Sequence, residues 1–454
     1  MAVAREESWF AYRRAISVVA TSLSCAIVGF NAVAGTDCWT YMPPPAGKTQ
    51  GTLSWTDSSG FENVVQGIKI VSGTEKKLYI LESTNGNNTK ARNLDFSVGI
   101  EDGYELVEIQ RSAFNGNSTV TNFVAPSSLV TLARYAFNSC SALVHAELND
   151  GLETIGTYAF AACKALSTID NFIPSSVKFI DQNAFQNCTA LACDLVATGV
   201  TNIAARAFQY SAVTSVDLSE APLDTIGELA FYEMPALTNV ILNQNLRSIG
   251  REAFRGCTAL KTISPLLPTG LQVFGSGDKG VFYGCTALEG DVLWPNSLTN
   301  IANRAFYNSK ITTFTARGKD IVRFGTHPLY GCTALTNIVL SASIATYDSA
   351  LMDGCKGGSL ERHVWFLGPP PAAFPSQFFN NTDKQFVTLH LPWSQRDAWR
   401  EWVASGPSGH EFTFNKAMKT LPEHLNDVGT WKAGVTQNVT WWKDVDPHFT
   451  ITVR

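Results

Sequence analysis

The chain has little charge of either sign to spare. Across 454 residues, 34 lysines and arginines face 39 aspartates and glutamates, a net charge of −5. Such a chain lacks the basic field that holds a protein on nucleic acid or on an anionic membrane, so neither partner is expected. It is not short of apolar residues: 45% are hydrophobic, which excludes a disordered chain. Beyond residue 34 no apolar run is long enough to cross a bilayer. Motifs of chemistry are missing as well. There is no H-E-x-x-H, no G-x-S-x-G and no glycine-rich phosphate loop. The cysteines do not form the paired clusters of a structural zinc site. The histidines are scattered; His145 falls on an expected strand where it could face solvent. "EHLND" (Glu423–Asp427) brings acid, histidine and acid together, but a solvated turn accounts for it. No catalytic residue, metal ligand or cofactor site is expected, and the chain reads as a non-enzyme.

The first 34 residues read as a signal peptide. "MAVAREESWFAYRR" ends on Arg13-Arg14, an uncharged run follows from Ala15 to Ala34, and Ala32-Val33-Ala34 fits a small-residue cleavage site before Gly35. The alternative is an uncleaved anchor, since twenty uncharged residues can just span a bilayer. Cleavage would leave an exported chain with no membrane span.

A repeat then dominates. Ala-Phe followed three residues later by a small side chain recurs, as in "YAFNSC", "YAFAAC", "NAFQNC" and "EAFRGC". The marker positions are Phe114, Phe137, Phe160, Phe185, Phe208, Phe231, Phe254, Phe282 and Phe306, then Leu329 and Met352 in the same slot. The steps between them are 23, 23, 25, 23, 23, 23, 28, 24, 23 and 23 residues, which makes eleven units. Each unit carries two short apolar runs, "LTNVIL" from Leu237 and "LRSIG" from Leu246 for example, separated by turn-forming residues. A unit this small cannot bury its own apolar side. Stacked units can, each touching only its neighbours, with equivalent strands about 4.8 Å apart. The phenylalanines should then form a buried column.

Seven cysteines (Cys140, Cys163, Cys188, Cys257, Cys285, Cys332, Cys355) share one slot, three residues after the marker. Stacking would bring them within disulfide reach. However, Asn117, Ser211, Met234 and Ser309 fill that slot in other units. Buried reduced thiols acting as small apolar groups are therefore expected. Cys38 and Cys193 have no assignment.

The stretch from Ala236 to Cys257, "ALTNVILNQNLRSIGREAFRGC", resembles the BspA-like leucine-rich repeat, written L-x-x-I-x-L-P-x-x-L-x-x-I-G-x-x-A-F-x-x-C. The resemblance implies a β-rich repeat solenoid, a right-handed superhelix of about eleven 23-residue coils with N- and C-terminal caps. It also implies secretion or display at a bacterial cell surface and a role in adhesion. Two units depart from the pattern: Asp194 and Asp291 stand where isoleucine is expected, so their strands should shift register. The organisation that follows is 1–34 signal peptide, 35–93 N-terminal cap or small β module, 94–360 solenoid and 361–454 C-terminal capping region. "LPWSQRDAWREW" suggests a strand followed by a helix from about Gln395, with Trp399 in the place of the family's closing tyrosine. The tail tryptophans read as a cap core, with a carbohydrate-stacking site or a hydrolase activity there as alternatives.

The outward residues of the first strand are the candidate binding surface. They include Glu147, Asp170 and Asp217 as a modest acidic patch, and Thr238, Asn239, Thr313 and Asn337. A threonine-rich solvated sheet face would look the same. The expected function is binding of a protein or glycan at a cell surface or matrix. A structural envelope element with no dedicated ligand is the alternative.

Overall fold

A computed structural model describes residues 38–70, 76–82, 90–170, 172–275, 280–318, 320–321, 323–344, 346–347, 351–356, 360–370, 387–395, 397–399, 401, 431–433 and 437–442. The expected signal peptide, "EHLND" and Trp402 lie outside them. The chain divides into two compact units, Met1–Cys193 and Asp194–Arg454. Four marker positions fall in the first and seven in the second, and both units are stacks of coils.

Each coil makes two short parallel pairings. In "LVHAEL" the alternation of a strand turns Ala146 inward and His145 and Glu147 outward, and of these three only Ala146 is buried. The first strands of the first unit, Asn93–Asp95, Asn122–Val124, His145–Glu147 and Thr168–Asp170, pair in parallel with equivalent residues in register. In the second unit Asp194–Val196, Ser215–Asp217, Asn239–Ile241 and Thr262–Ser264 do the same. Second strands are two residues long, such as Thr154–Ile155 beside Phe179–Ile180, and bury the isoleucine. Among the described residues helix is limited to single turns, as at Glu101–Gly103 and Trp393–Gln395. Residues 397–399 and 401 are helical, within the helix expected from about Gln395.

The turn around the phenylalanine closes the coil. Its amides alternate between two uses. Tyr135, Phe137 and Ser139 donate to Thr157, Ala159 and Ala161 of the next coil at 2.7–2.9 Å. Ala136, Asn138 and Cys140 donate to the carbonyls three residues back, at 3.1–3.3 Å. Every amide from Tyr135 to Cys140 is thereby used, half locally and half between coils, which is what a buried turn requires. The same pattern recurs at Leu229, Phe231 and Glu233, which donate to Arg251, Ala253 and Arg255. This alternation forces left-handed backbone two residues after each marker. Gly116, Gly256, Gly284, Gly331 and Gly354 hold it at φ of 67–76°. Ser139, Ala162, Asn187, Tyr210, Glu233 and Asn308 hold it at 48–61° without glycine's freedom.

The phenylalanines stack as a column. Phe114, Phe137, Phe160 and Phe185 follow one another at centroid separations of 4.9, 5.4 and 5.4 Å. Phe208, Phe231, Phe254, Phe282 and Phe306 follow at 5.4, 5.1, 5.5 and 5.5 Å. All are fully buried, as are Leu329 and Met352 in the same slot. The register shifts expected at Asp194 and Asp291 are present. The inward residues there are Leu195 and Val292, one position later than in other coils, and the pairing of Glu289–Leu293 slips between Gly290 and Asp291.

Ahead of the first coils lies an antiparallel meander: β1 (Thr40–Met42), β2 (Gly51–Thr56), β3 (Glu62–Ile70) and β4 (Lys77–Ile80). β4 then pairs in parallel with Glu105–Ile109, joining the meander to the second-strand ladder. Trp39 packs on Trp55 and Phe96 and donates its indole N–H to the Asp95 carbonyl at 2.6 Å. At the other end Arg362–Phe366 extends the first-strand ladder onto Val387–Pro392. Trp399 is buried against Phe366 and donates to the Gly368 carbonyl at 3.0 Å.

Two predictions follow from the coil geometry. Phe231→Ala removes a ring from the middle of a stack and should cost about 3–5 kcal/mol, whereas Phe231→Leu, the residue already used at position 329, should cost far less. Hydrogen exchange at the amides of the flanking coils, with thermal unfolding alongside, checks this ranking. Ala162→Gly relieves a left-handed alanine. It should raise stability by about 0.5–1 kcal/mol, the steric gain less the entropy glycine adds to the unfolded chain. A lowered melting temperature would contradict it.

Candidate functional site

The cysteine column is the largest set of reactive side chains, and its surroundings silence it. Each thiol donates to the marker carbonyl of the preceding coil: Cys140 to Phe114, Cys163 to Phe137, Cys188 to Phe160, Cys257 to Phe231, Cys285 to Phe254, Cys332 to Phe306 and Cys355 to Leu329, at 2.9–3.2 Å. All seven are buried and none is in a disulfide. Burial pushes the Cys257 and Cys332 thiols up to about 12 and those of Cys140, Cys188, Cys285 and Cys355 well above their ordinary value. At these six positions the protonated thiol is favoured over the thiolate that nucleophilic, redox or metal chemistry needs. The thiol thus serves as a small apolar group that also satisfies a carbonyl. Ser309, in the same slot, sets its hydroxyl 3.4 Å from the Cys332 sulfur.

The outward faces of the first strands differ between the two units. In the first, adjacent strands set Glu147 beside Asp170 and His145 beside Thr168. The His145 ring nitrogen Nδ1 and the Thr168 hydroxyl are hydrogen-bonded at 3.0 Å. Nε2 lies 3.8 Å from an Asp170 carboxylate oxygen. Partial burial raises the pKa of Glu147; the charges of Asp170 and Asp95 add to this and His145 opposes it. One coil earlier the same face carries a pair of amides, with Asn122 donating to Asn93 at 2.6 Å.

Asp217 belongs to the second unit. Its neighbours in register are Val196 and Ile241, and its carboxylate accepts from the Ser219 amide at 2.9 Å. Glu147 and Asp170 therefore adjoin each other, while Asp217 sits between two apolar residues. Thr238 is exposed, yet its hydroxyl already donates to the Thr214 carbonyl at 3.0 Å. Asn239 accepts from Thr262 at 2.6 Å. Asn337 is half-buried and donates to Thr336 at 3.0 Å. Thr313, expected to face outward, is 6% exposed, between Asp291 and Asn337 on the flanking strands. Much of the polar face thus closes on itself, coil to coil, as a solvated threonine-rich sheet would.

Two groupings were not foreseen. Tyr283, Tyr307 and Tyr330, each one residue after its marker, stack at 4.5 and 4.4 Å, so Tyr307 has both ring faces covered. A stack this close presents edges rather than a ring face for a sugar. The signal was present in "VFYGC", "RAFYNS" and "PLYGC". In the second unit His363 and His390 lie within 3.0 Å of each other and Trp365 stacks on His390 at 3.6 Å. Burial, helped by His363, holds His390 neutral, with its pKa pushed down to about 4. Nothing in the spacing of these residues announced that pairing.

The architecture is that of a leucine-rich-repeat solenoid. The family model for the BspA type leucine rich repeat region matches in six copies over residues 107–221, 193–278 and 276–362, more than half of the chain. The chain belongs to this family. No curated protein matches it. Among solved structures it is similar to a leucine-rich repeat protein from Bacteroides ovatus, at 21% identity and a TM-score of 0.45, over 80% of this chain and 76% of that one. A leucine rich cell surface protein from Faecalibacterium prausnitzii matches at 18% identity and 0.34, over 76% and 97%. The pneumococcal vaccine antigen PcpA matches at 18% and 0.38, over 81% and 97%. Among the described residues no helix is long and apolar enough to cross a membrane.

The thiols can be tested directly. Under native conditions near neutral pH an alkylating reagent should label the half-buried Cys38 and Cys193 and spare the seven column cysteines; denaturation without reductant should expose all nine cysteines of the described residues. Raised folded pKa values favour the protonated folded thiol, so this stabilisation is complete below the ordinary value of 9.0 and is lost as pH climbs toward about 12. Stability should fall over that interval, and Cys257→Ala should flatten the fall. Peptide mapping and alkaline unfolding curves read the two outcomes.

Proposed function

We propose that this chain is an exported, non-catalytic leucine-rich-repeat protein that binds a protein or glycan at a bacterial cell surface or matrix through the outward faces of its first strands. Residues 1–34 would act as signal peptide, 35–93 and 361–454 as the two caps, and 94–360 as the binding solenoid. The observation that carries this reading is the regular, in-register array of outward side chains, about 4.8 Å from coil to coil, on a scaffold whose interior holds its reactive groups inert. Extended surfaces of this kind suit macromolecules better than small substrates. Family membership supports the same reading.

The full mature chain, immobilised and challenged with matrix proteins and a glycan array, should retain at least one class of ligand. Replacing Asp217, Thr238, Asn239 and Asn337 together by alanine should weaken that retention tenfold or more while leaving the melting temperature within a few degrees. Retention of nothing from either set would favour a structural envelope element instead. Turnover of glycoside or peptide substrates by the chain would overturn the non-catalytic reading.

A further inference from the structure

A parallel ladder of outward side chains is a grid. Neighbours along one strand that face the same way are about 6.8 Å apart, and neighbours across strands about 4.8 Å. His145 and Glu147 occupy one edge of a cell in this grid, and Thr168 and Asp170 occupy the opposite edge. Such a cell is small enough for long side chains at its corners to meet above its centre. Three of them do: one imidazole nitrogen and one oxygen from each carboxylate come within 4.8 Å of one another. Among the described residues no other three such groups converge. The fourth corner, Thr168, holds the remaining ring nitrogen of His145 at 3.0 Å. That fixes the ring and leaves Nε2 on the side of the Asp170 carboxylate, 3.8 Å from its oxygen, the usual arrangement behind a metal-bound histidine.

We propose that His145, Glu147 and Asp170 form a binding site for a divalent first-row transition cation of the zinc class. One imidazole and two carboxylates suit such an ion better than calcium or magnesium, which take oxygen alone. Bonds of about 2.1 Å at a tetrahedral angle place ligand atoms about 3.4 Å apart, so side-chain rotations of an ångström or so close the site without moving the backbone. The alternative of a simple ion pair is poorly served: Nε2 and the Asp170 oxygen are 3.8 Å apart, too far for a hydrogen bond, while two carboxylates crowd one imidazole. Three protein ligands on a partly exposed face leave coordination positions open to water or to an acidic group of a docked partner. The site would thus make recognition at this face metal-dependent. It stands whether or not the macromolecular ligand proposed above exists.

The test is zinc binding to the full chain, by calorimetry and by equilibrium dialysis with elemental analysis. One equivalent should bind, and His145→Gln, Glu147→Gln and Asp170→Asn should each weaken it about 10–100-fold. His390→Gln should leave it unchanged. These outward variants should keep the wild-type melting temperature in metal-free buffer, and added zinc should raise that temperature in the wild type only. A readout at the residue itself is carbethoxylation: zinc should slow the modification of His145 in the wild-type chain, mapped by mass spectrometry. Zinc binding that survives the triple replacement, or modification of His145 indifferent to zinc, overturns the proposal. Equal response to magnesium and zinc overturns the assignment of the ion class.

Discussion

A coil such as that of Phe137 or Phe231 leaves half of its turn amides for the next coil to satisfy. Tyr135, Phe137 and Ser139 have no acceptor within their own turn, and Thr157, Ala159 and Ala161 supply one. A lone coil would leave those three donors to water and its phenylalanine exposed; burying the ring without the next coil's carbonyls would leave each donor unpaired at a cost of about 1–3 kcal/mol. Coils form together for that reason. The phenylalanine column, the thiol–carbonyl bonds and the two-residue strands are consequences of stacking that these amides impose. Strands so short could not pair durably by themselves; they are held in register by the turns on either side.

The same constraint explains why so much of the architecture can be read from residues. A ladder that repeats its bonds must repeat its backbone, and an inward slot that repeats its surroundings admits few side chains. Phe137, Phe160 and Phe231 recur at fixed spacing because each lies over the last. Cys257 and its equivalents recur because a small donor is wanted beneath a carbonyl. Even the exceptions were legible: Asp194 and Asp291 signalled one additional residue, and the chain slips by that amount. The glycine before the cysteine in "RGC", "YGC" and "DGC" carried a message about handedness that spacing alone conceals, because Ala162 and Glu233 tolerate the same conformation at a cost.

The outward face was much less readable. Nothing in the periodicity says which unit Asp217 joins, that Thr313 is covered, or that Thr238 and Asn239 engage neighbouring coils. Those properties depend on pairings between residues 21 to 24 positions apart whose side chains are free to vary. His145 could be placed on a strand but not beside Asp170, since that adjacency needs the register of two coils at once. Interior slots obey a shared rule, whereas each surface cell is its own case.

Coils that close only on their like have no built-in count. Between Phe114 and Phe160, or between Phe208 and Phe254, a cut at one turn and a join at the equivalent turn a period later meets the same donors, the same ring and the same carbonyl. Unequal recombination within such a gene would therefore yield foldable proteins of altered length far more often than in an ordinary domain. Reach and the spacing of surface features along the array become heritable quantities, adjustable in whole steps without redesigning the interior.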